Sequence, residues 1–392
     1  MEGPPMPDAV VRVDNGLVVD VVPRSEFFGD LEDLGEGVLL PGLINAHCHL
    51  DYTILRGAIL SNRSFTLWVK RINALRQTLT DADFLTSIAA GFKELRLSGV
   101  TSVLNIESYP ELMIKMAPPP LRTWWFFEMI DIRNRLAGEE AIAGALSFFG
   151  KRSDWPGGFG LSPHAPYTAS LELYRAAKLC AEQTGLLFTT HLAESDEEDA
   201  MFHKGTGALY EFLREIGRNM DDVGKGSPIK MLLENDAVPD GTIVAHMNHV
   251  TQADYELLRE GGWNRRLHVV HCPRTHEYFG RPPFPLERLR DEGFPISIGT
   301  DSLASNASLN LFEELRTLRR AHPSVSPREA WEMVTLAPAR ALGMEGSLGC
   351  LHPGAIADLI FVPVAKNAPD PYAALLENRD PVGWMRLGGV PV

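Results

Sequence analysis

The feature that most constrains this chain is an alternation of short apolar runs with longer helical patterns through its middle. Eight runs rich in Val, Leu and Ile read as strands, at residues 38–46, 101–106, 121–130, 159–163, 186–190, 242–245, 267–270 and 295–300. Strands that alternate with helices form βα units around a parallel sheet. Eight such units predict an α/β protein built on a closed (β/α)8 TIM barrel. The reactive residues of such a barrel lie just beyond the carboxyl ends of its strands.

Several of the intervening helices carry their own start and stop signals. Thr80 opens a periodic run that Gly99 is expected to end. Ser195 and Glu198 have the spacing of a capping box, in which each side chain bonds to the backbone N–H of the other residue. These signals indicate that helices follow the first and fifth predicted strands.

Both ends of the chain have β character. Asn15 and Gly16 separate two strand-like runs, which is a hairpin signal. Residues 357–364 again read as a strand. We therefore expect one small sheet built from both termini.

Composition excludes several classes of partner. The 392 residues carry a net charge of −14, and no run of Lys and Arg is long enough to form a basic stripe. Nucleic acid and anionic membrane surfaces would be repelled, so a small-molecule substrate is expected. Four scattered cysteines, no secretory leader and no apolar stretch of membrane length together predict a cytoplasmic protein.

Metal-ligating residue types follow the ends of the predicted strands. His47 and His49 are alternate residues after the first strand, so their side chains share a face. His191, His246 and Asp301 follow the fifth, sixth and eighth strands. Neutral imidazoles with one carboxylate and an open position make a catalytic, zinc-type site.

Each of these residues has a simpler explanation when taken alone. A single histidine at a strand end is usually a surface or core residue. The metal-site prediction therefore depends on the whole set of ligand-type residues and not on any one of them. Glu194, three residues after His191, could also be an acid placed by the dipole of the following helix. Its HxxE spacing favours catalysis, and we assign the capping role to Glu198.

The chain resembles a known family in four motifs. PGLINAHCHLD, HLAES, AHMNHV and IGTDSLASN occur in the order typical of the amidohydrolase superfamily, in its cytosine-deaminase and chlorohydrolase-like branch. The resemblance implies a small β-sandwich formed by both termini, here residues 1–40 plus 346–392, around a barrel of residues 41–345. A homodimer is an expectation from the family alone.

The resemblance also implies the roles of the site residues. One divalent ion, zinc or iron, would be bound by His47, His49, His191 and Asp301. Such an ion lowers the pKa of a bound water towards about 7. Asp301 would take a proton from that water, Glu194 would protonate a ring nitrogen of the substrate, and His246 would hydrogen-bond the attacking oxygen.

Further substrate contacts are expected on the same rim. His164 follows the fourth strand, Glu128 the third, and Arg274 and His276 the seventh. Trp68 could form a lid over the ring, although an aromatic residue in a helical pattern more often belongs to the core. The fourth strand has no lysine of the kind that bridges two metals in binuclear relatives, which favours a single ion.

These inferences predict a deaminase that removes an amino group from a purine-like or other nitrogen heterocycle. An adenine-type nucleoside such as aminodeoxyfutalosine is the first expectation, with guanine or a pterin next. One alternative is hydrolysis of a C–Cl or amide bond at the same site. A second alternative is a non-catalytic barrel that only binds ligands.

Overall fold

The computed structural model describes residues 3–61, 63–132, 138–366 and 368–392. The strands are β1 (Ala9–Asp14), β2 (Leu17–Pro23), β3 (Gly37–Pro41), β4 (Leu43–His49), β5 (Val100–Glu107), β6 (Arg122–Met129), β7 (Gly157–Pro163), β8 (Leu187–Leu192), β9 (Thr242–His246), β10 (Leu267–His271), β11 (Ile296–Ile298), β12 (Asp301–Ser302), β13 (Leu359–Pro363), β14 (Trp384–Leu387) and β15 (Val390–Pro391).

The α-helices lie mostly between the central strands. They are α1 (Phe65–Arg76), α2 (Asp81–Leu97), α3 (Gly138–Gly150), α4 (Leu171–Thr184), α5 (Asp196–Lys204), α6 (Ala208–Glu215), α7 (Pro228–Glu234), α8 (Gln252–Glu260), α9 (Pro273–Phe279), α10 (Leu286–Asp291), α11 (Leu311–Ala321), α12 (Pro327–Glu332), α13 (Leu336–Ala341) and α14 (Pro371–Leu376). Within the described ranges, no helix is both long and apolar enough to cross a membrane.

Nine strands form one curled parallel sheet in the order β11-β10-β9-β8-β7-β6-β5-β4-β12. Only Gly299 and Thr300 separate β11 from β12. β11 pairs with β10, whereas β12 pairs with β4 at the other edge of the sheet. The backbone of Gly299 donates to His271 O, and that of Thr300 donates to His47 O. β12, the last segment of the curled sheet along the chain, therefore lies beside β4, the first strand of that sheet.

The two faces of the curled sheet are buried against different partners. Trp125 packs with Phe92 of α2 on the outer face. The neighbouring Trp124 and Phe126 join an inner cluster with Ile44 and residues of β5, β9 and β10. This alternation is expected for a strand buried on both faces. It puts the inner cluster beneath the carboxyl ends of the strands.

The first predicted strand is wrong in one respect, because it breaks at Gly42. Residues before the break form β3 of a separate antiparallel sheet, and residues after it form β4. A Cβ atom on Gly42 would lie only 2.1–2.7 Å from side-chain atoms of Thr101. Glycine therefore allows β4 to approach β5 at the point where the chain changes sheets.

The terminal strands behave as expected. β1 and β2 form the hairpin, with Asn15 at φ 49° and Gly16 at φ 79° in the turn. A second sheet, in the order β15-β14-β13-β3, joins the N-terminal β3 to C-terminal strands. Val18 of the hairpin and Leu359 of β13 belong to one buried cluster. The prediction of a small sheet from both ends is confirmed.

The helix signals are confirmed at α2 and only half confirmed at α5. Thr80 caps α2 in a complete capping box, and Gly99 follows the helix at φ 79°. Ser195 Oγ accepts from Glu198 N as predicted. The Glu198 carboxylate, however, accepts from the backbone of Glu194 rather than that of Ser195. The capping acid therefore holds the backbone of Glu194.

Candidate active site

The paired histidines reach the inside of the sheet through an irregularity in β4. The register between β4 and β5 shifts between Asn45 and Cys48. Ala46 belongs to the inner cluster, whereas Cys48, two residues on, belongs to the outer core. A regular strand would keep both on one face, so the shift reverses the alternation and turns His47 and His49 inward.

Strained backbone places the other site residues. Seven non-glycine residues in the described ranges have positive φ. Four of them lie at this end of the sheet: Ala193 at 52°, His246 at 81°, Met247 at 47° and Asp301 at 58°. Residues with a Cβ atom rarely adopt this backbone conformation, and residues that do adopt it cluster at functional sites.

The predicted metal ligands converge. His49 Nε2 lies 3.3 Å from His191 Nε2. Asp301 Oδ1 lies 3.8 Å from His47 Nε2 and 3.9 Å from His49 Nε2. Tetrahedral zinc with bonds of about 2.0–2.1 Å holds its ligand atoms about 3.3 Å apart. These three pairs are close to the spacing that one shared ion requires, and ligand atoms of His47 and His191 lie within 4.8 Å of each other.

The hydrogen bonding of these histidines also fits a metal. His191 Nδ1 lies 2.9 Å from His164 O, and a carbonyl can only accept, so the second nitrogen of a neutral His191 ring carries a lone pair. His47 Nε2 is buried and has no hydrogen-bond partner among the described residues. Burial, with the neighbouring histidines, holds the pKa of His47 and His49 well below the ordinary range. Neutral imidazole is the form that binds a metal ion.

Burying the ionised Asp301 carboxylate without a nearby cation is energetically unfavourable. Burial, together with the charge of Glu194, raises the pKa of Asp301 to about 6. Asp301 Oδ1 accepts a 2.7 Å hydrogen bond from Ser302 N. A divalent cation would favour the ionised carboxylate, so the donor set fits a metal better than it fits an empty site.

Gly299 is predicted to be essential to this geometry. A Cβ atom there would lie 2.7 Å from both His47 Cβ and His47 N, too close for either to stay in place. We expect Gly299→Ala to lower stability by about 1–3 kcal/mol and to weaken metal retention. Thermal unfolding and metal content check this.

Gly144→Ala in α3 is the matched control, because a Cβ atom there meets nothing within 4 Å. Alanine is the better helix former, so this control should be neutral or slightly stabilising. If Gly299→Ala and Gly144→Ala had the same stability and metal content, the argument that Gly299 must approach His47 closely would be contradicted.

Glu194 lies beside the ligands and is held from three directions. Its Oε2 atom is 3.8 Å from His246 Nε2, and its Oε1 atom accepts a 3.0 Å hydrogen bond from Arg281 Nη2. Its backbone N–H donates to Glu198 and its carbonyl accepts from Asn248. Glu194 is thus anchored by both backbone and side chain next to the predicted metal ligands.

Glu198, buried beneath Glu194, gives a prediction about pH. Burial raises its pKa from an ordinary value of 4.5 to about 8. The folded protein therefore keeps a proton that the unfolded chain releases above pH 4.5. This stabilisation is complete below pH 4.5 and is lost as the pH rises through 8. We expect Glu198→Gln to flatten the fall in Tm between pH 5 and 8.5.

Melting curves of both proteins at the two pH values check this expectation. Glu182→Gln is the control, since the Glu182 side chain is half exposed on α4. If the Tm of Glu198→Gln falls between the two pH values as much as the Tm of the wild type does, another group carries the pH dependence.

A cavity of about 570 Å³ opens onto the candidate metal ligands. His49, His191, His246, Asp301 and Glu194 line its polar end. Side chains of α1 and of the α6 region form an apolar wall: Phe65, Trp68, Val69, Ile72, Leu209, Phe212, Leu213 and Ile216. The indole N–H of Trp68 donates to Ala304 O, which fixes the ring in this wall.

Two of the four predicted substrate contacts line the cavity. His164 and Glu128 do so, 3.9 Å apart between Nε2 and Oε1. Burial opposes ionisation of Glu128, but His164, His49 and Arg76 outweigh it and hold its pKa below the ordinary value. An ionised Glu128 can accept hydrogen bonds from a ligand.

The structure does not bring Arg274 or His276 to the cavity. The Arg274 backbone donates to Glu314, and His276 Nε2 donates to Pro282 O at 2.6 Å. Both residues lie on α9, which follows β10 and has other partners. Thr275, between them, bonds Ser305.

Sequence reasoning missed three residues near the site. Arg281 lies in a Pro-rich segment, residues 281–285, which carries no sequence signal of a functional residue. Arg76 ends α1, lines the cavity and donates through Nε to Tyr109 Oη at 2.6 Å. Cys272 has its sulfur within 4.8 Å of ligand atoms of His246 and Asp301. None of the three stands at a recognisable spacing from the histidines.

A curled parallel sheet with converging His and Asp ligands at the carboxyl ends of its strands defines a class of metal-binding α/β hydrolases. The chain belongs to the amidohydrolase family, whose model matches residues 38–390.

Similar proteins include several deaminases. A 5-methylthioadenosine/S-adenosylhomocysteine deaminase from Pyrococcus furiosus is 28% identical over 365 residues, which is 90% of this chain and 81% of that protein. A 5'-deoxyadenosine deaminase from Methanococcus vannielii is 26% identical over 91% of this chain and 82% of its own length.

Solved structures share the fold. Helicobacter pylori aminofutalosine deaminase, in complex with methylthio-coformycin, superposes with a TM-score of 0.84 at 22% identity, covering 98% of this chain and 95% of that one. A Xanthomonas campestris adenosine deaminase with bound zinc gives a TM-score of 0.79 at 24% identity, covering 98% of this chain and 88% of that one.

Proposed function

We propose that this protein is a mononuclear metal-dependent aminohydrolase that removes the amino group of an adenine-type nucleoside. The observation that carries the proposal is the convergence of His47, His49, His191 and Asp301, of which all but His47 line the polar end of the cavity together with Glu194. The names of the similar deaminases support this substrate class.

The four ligands would hold one zinc or iron ion. When bound, such an ion supplies a Lewis acid and an acidified water molecule. Asp301 has a second carboxylate oxygen to receive a proton from the attacking water. Glu194 Oε2 is free of the Arg281 contact and can deliver a proton to a ring nitrogen. His246, at the same end of the cavity, can donate to the attacking oxygen.

The rest of the cavity suits a nucleoside better than a bare base. Its volume falls within the roughly 300–1,000 Å³ of ligand sites, and it extends beyond the ligand cluster along the apolar wall. Glu128 and His164 offer polar contacts between the two ends. We assign them to substrate binding.

We also propose the finer architecture. The curled sheet is a closed (β/α)8 barrel of residues 41–345, because β11 and β12 complete one strand between β10 and β4. Residues 1–40 and 346–392 form the small β-sandwich, since the hairpin and the four-stranded sheet share a buried cluster. The free, buried Cys48, Cys180 and Cys272 support a reducing, cytoplasmic location. The homodimer stays a prediction.

Ammonia release from a substrate panel tests the proposed function. The panel holds adenosine, 5'-deoxyadenosine, 5'-methylthioadenosine, S-adenosylhomocysteine, aminodeoxyfutalosine, guanine and a pterin, with a chlorinated triazine for C–Cl hydrolysis. Metal content is measured on the same sample. We expect ammonia from at least one adenine nucleoside at about one metal per chain. Chloride release without ammonia would favour the alternative chemistry, and metal-free protein that binds nucleosides would favour a binding protein.

A further inference from the structure

Arg281 makes a buried ion pair with the candidate proton carrier. Its Nη2 atom donates to Glu194 Oε1 at 3.0 Å, and the two side chains are only 6% and 7% exposed. The guanidinium lies 4.4 Å from the centroid of the Phe279 ring, which fixes its plane. Arg281 does not line the cavity, so its contact is with Glu194 rather than with a ligand.

This ion pair is poorly arranged for stability alone. Burying two charges carries a large desolvation penalty, and replacing both partners with well-packed apolar residues of similar volume is often neutral or stabilising. Arg281 Nη1 is buried and has no hydrogen-bond partner among the described residues. A guanidinium with an unsatisfied donor does not recover its full desolvation penalty. The pair therefore calls for a functional explanation.

Hydrogen bonds to α9 hold the backbone around Arg281, where the Arg281 N–H donates to His276 O. His276 Nε2 donates to the carbonyl of Pro282, the residue next to Arg281. Asn248 Nδ2 donates to Glu194 O at 2.9 Å. Hydrogen bonds therefore hold both the backbone around Arg281 and the backbone of Glu194.

We propose that Arg281 is a positioning residue that occupies Glu194 Oε1 and so leaves Oε2 facing the substrate. The inference rests on the proposed function, because it acts through Glu194 in proton transfer. Without Arg281, the carboxylate would be free to rotate about its last side-chain torsion, which has broad, two-fold preferences. Misplacement of a reacting group by about 1 Å can cost about 10²-fold in rate.

Kinetics of three variants test the proposal. We expect Arg281→Met to lower kcat by about 10²-fold with little change in KM or metal content. Arg281→Lys, which keeps one donor, should recover part of the loss. Arg281→Met placed in a Glu194→Gln background should add little, because residues that act as a unit are not additive. An equal loss in both backgrounds, or full kcat in Arg281→Met, would overturn the proposal.

Arg288→Met is the matched control. Arg288 also stacks on an aromatic ring, 3.8 Å from the centroid of Tyr255, and bonds Gln252 rather than a site carboxylate. Its activity should match that of the wild type.

A crystal structure of Arg281→Met provides a readout that needs no activity. The expected result is a Glu194 carboxylate that has turned from its wild-type orientation. An unchanged orientation would overturn the positioning role even if the substrate panel releases ammonia. Conversely, a turned carboxylate in a protein that deaminates nothing would uphold the positioning role and reject the proposed function.

Discussion

His191→Ala is expected to abolish both metal binding and turnover. His191 Nε2 lies 3.3 Å from His49 Nε2, and its other nitrogen is fixed by His164 O. Removing a ring that is held so firmly takes one ligand from the predicted set. Loss of an orienting partner alone costs 10–100-fold in metal affinity, so loss of the ligand should exceed about 10²-fold. Metal analysis and ammonia release on the same preparation measure both effects.

His203→Ala is the control for this variant. His203 lies on α5, partly exposed and paired with Asp199 four residues earlier. It should keep metal and activity. A His191 variant that binds metal as tightly as the wild type would remove His191 from the ligand set.

Glu194→Gln should keep the metal and lose most of the activity. Glutamine can still accept from Arg281 through its amide oxygen, so the geometry should survive, but it cannot carry a proton. General acid–base groups contribute about 10²–10⁴-fold, and we expect a loss of that size in kcat. Steady-state kinetics on metal-loaded protein measure it.

Glu277→Gln controls for the change of charge. Glu277 pairs with Arg320 on the surface, where both side chains are 61% exposed, and such pairs contribute little. Full activity of the Glu194 variant would remove the proton-transfer role. Loss of its metal would instead make Glu194 a ligand.

Much of the fold could be predicted because its signals are local and repeated. Apolar runs bounded by turns locate most of the strands of the curled sheet, and the predicted site residues His191, His246 and Asp301 lie at or near their carboxyl ends. The break at Gly42 could not be predicted. It depends on a close approach to Thr101, 59 residues later, and an apolar run carries no sign of where the chain changes sheets.

The site was predictable where residue type alone reveals chemistry. Histidines at strand ends stand out, whereas an arginine in a Pro-rich loop does not. Arg281 meets Glu194 only because α9 and the following turn fold back over the end of β8, a contact that spans 87 residues. Arg274 and His276 were expected on the rim but do not line the cavity, for a similar reason. The strand that they follow is clear from the sequence, but the direction of α9 is not.

Anomalous X-ray diffraction from metal-loaded crystals tests the central claim most directly. The account predicts one strong peak at about 2.0–2.2 Å from a nitrogen of His47, His49 and His191 and from an oxygen of Asp301. A peak that lacks these four neighbours, or a fully loaded protein with no peak between β4, β8 and β12, would contradict it.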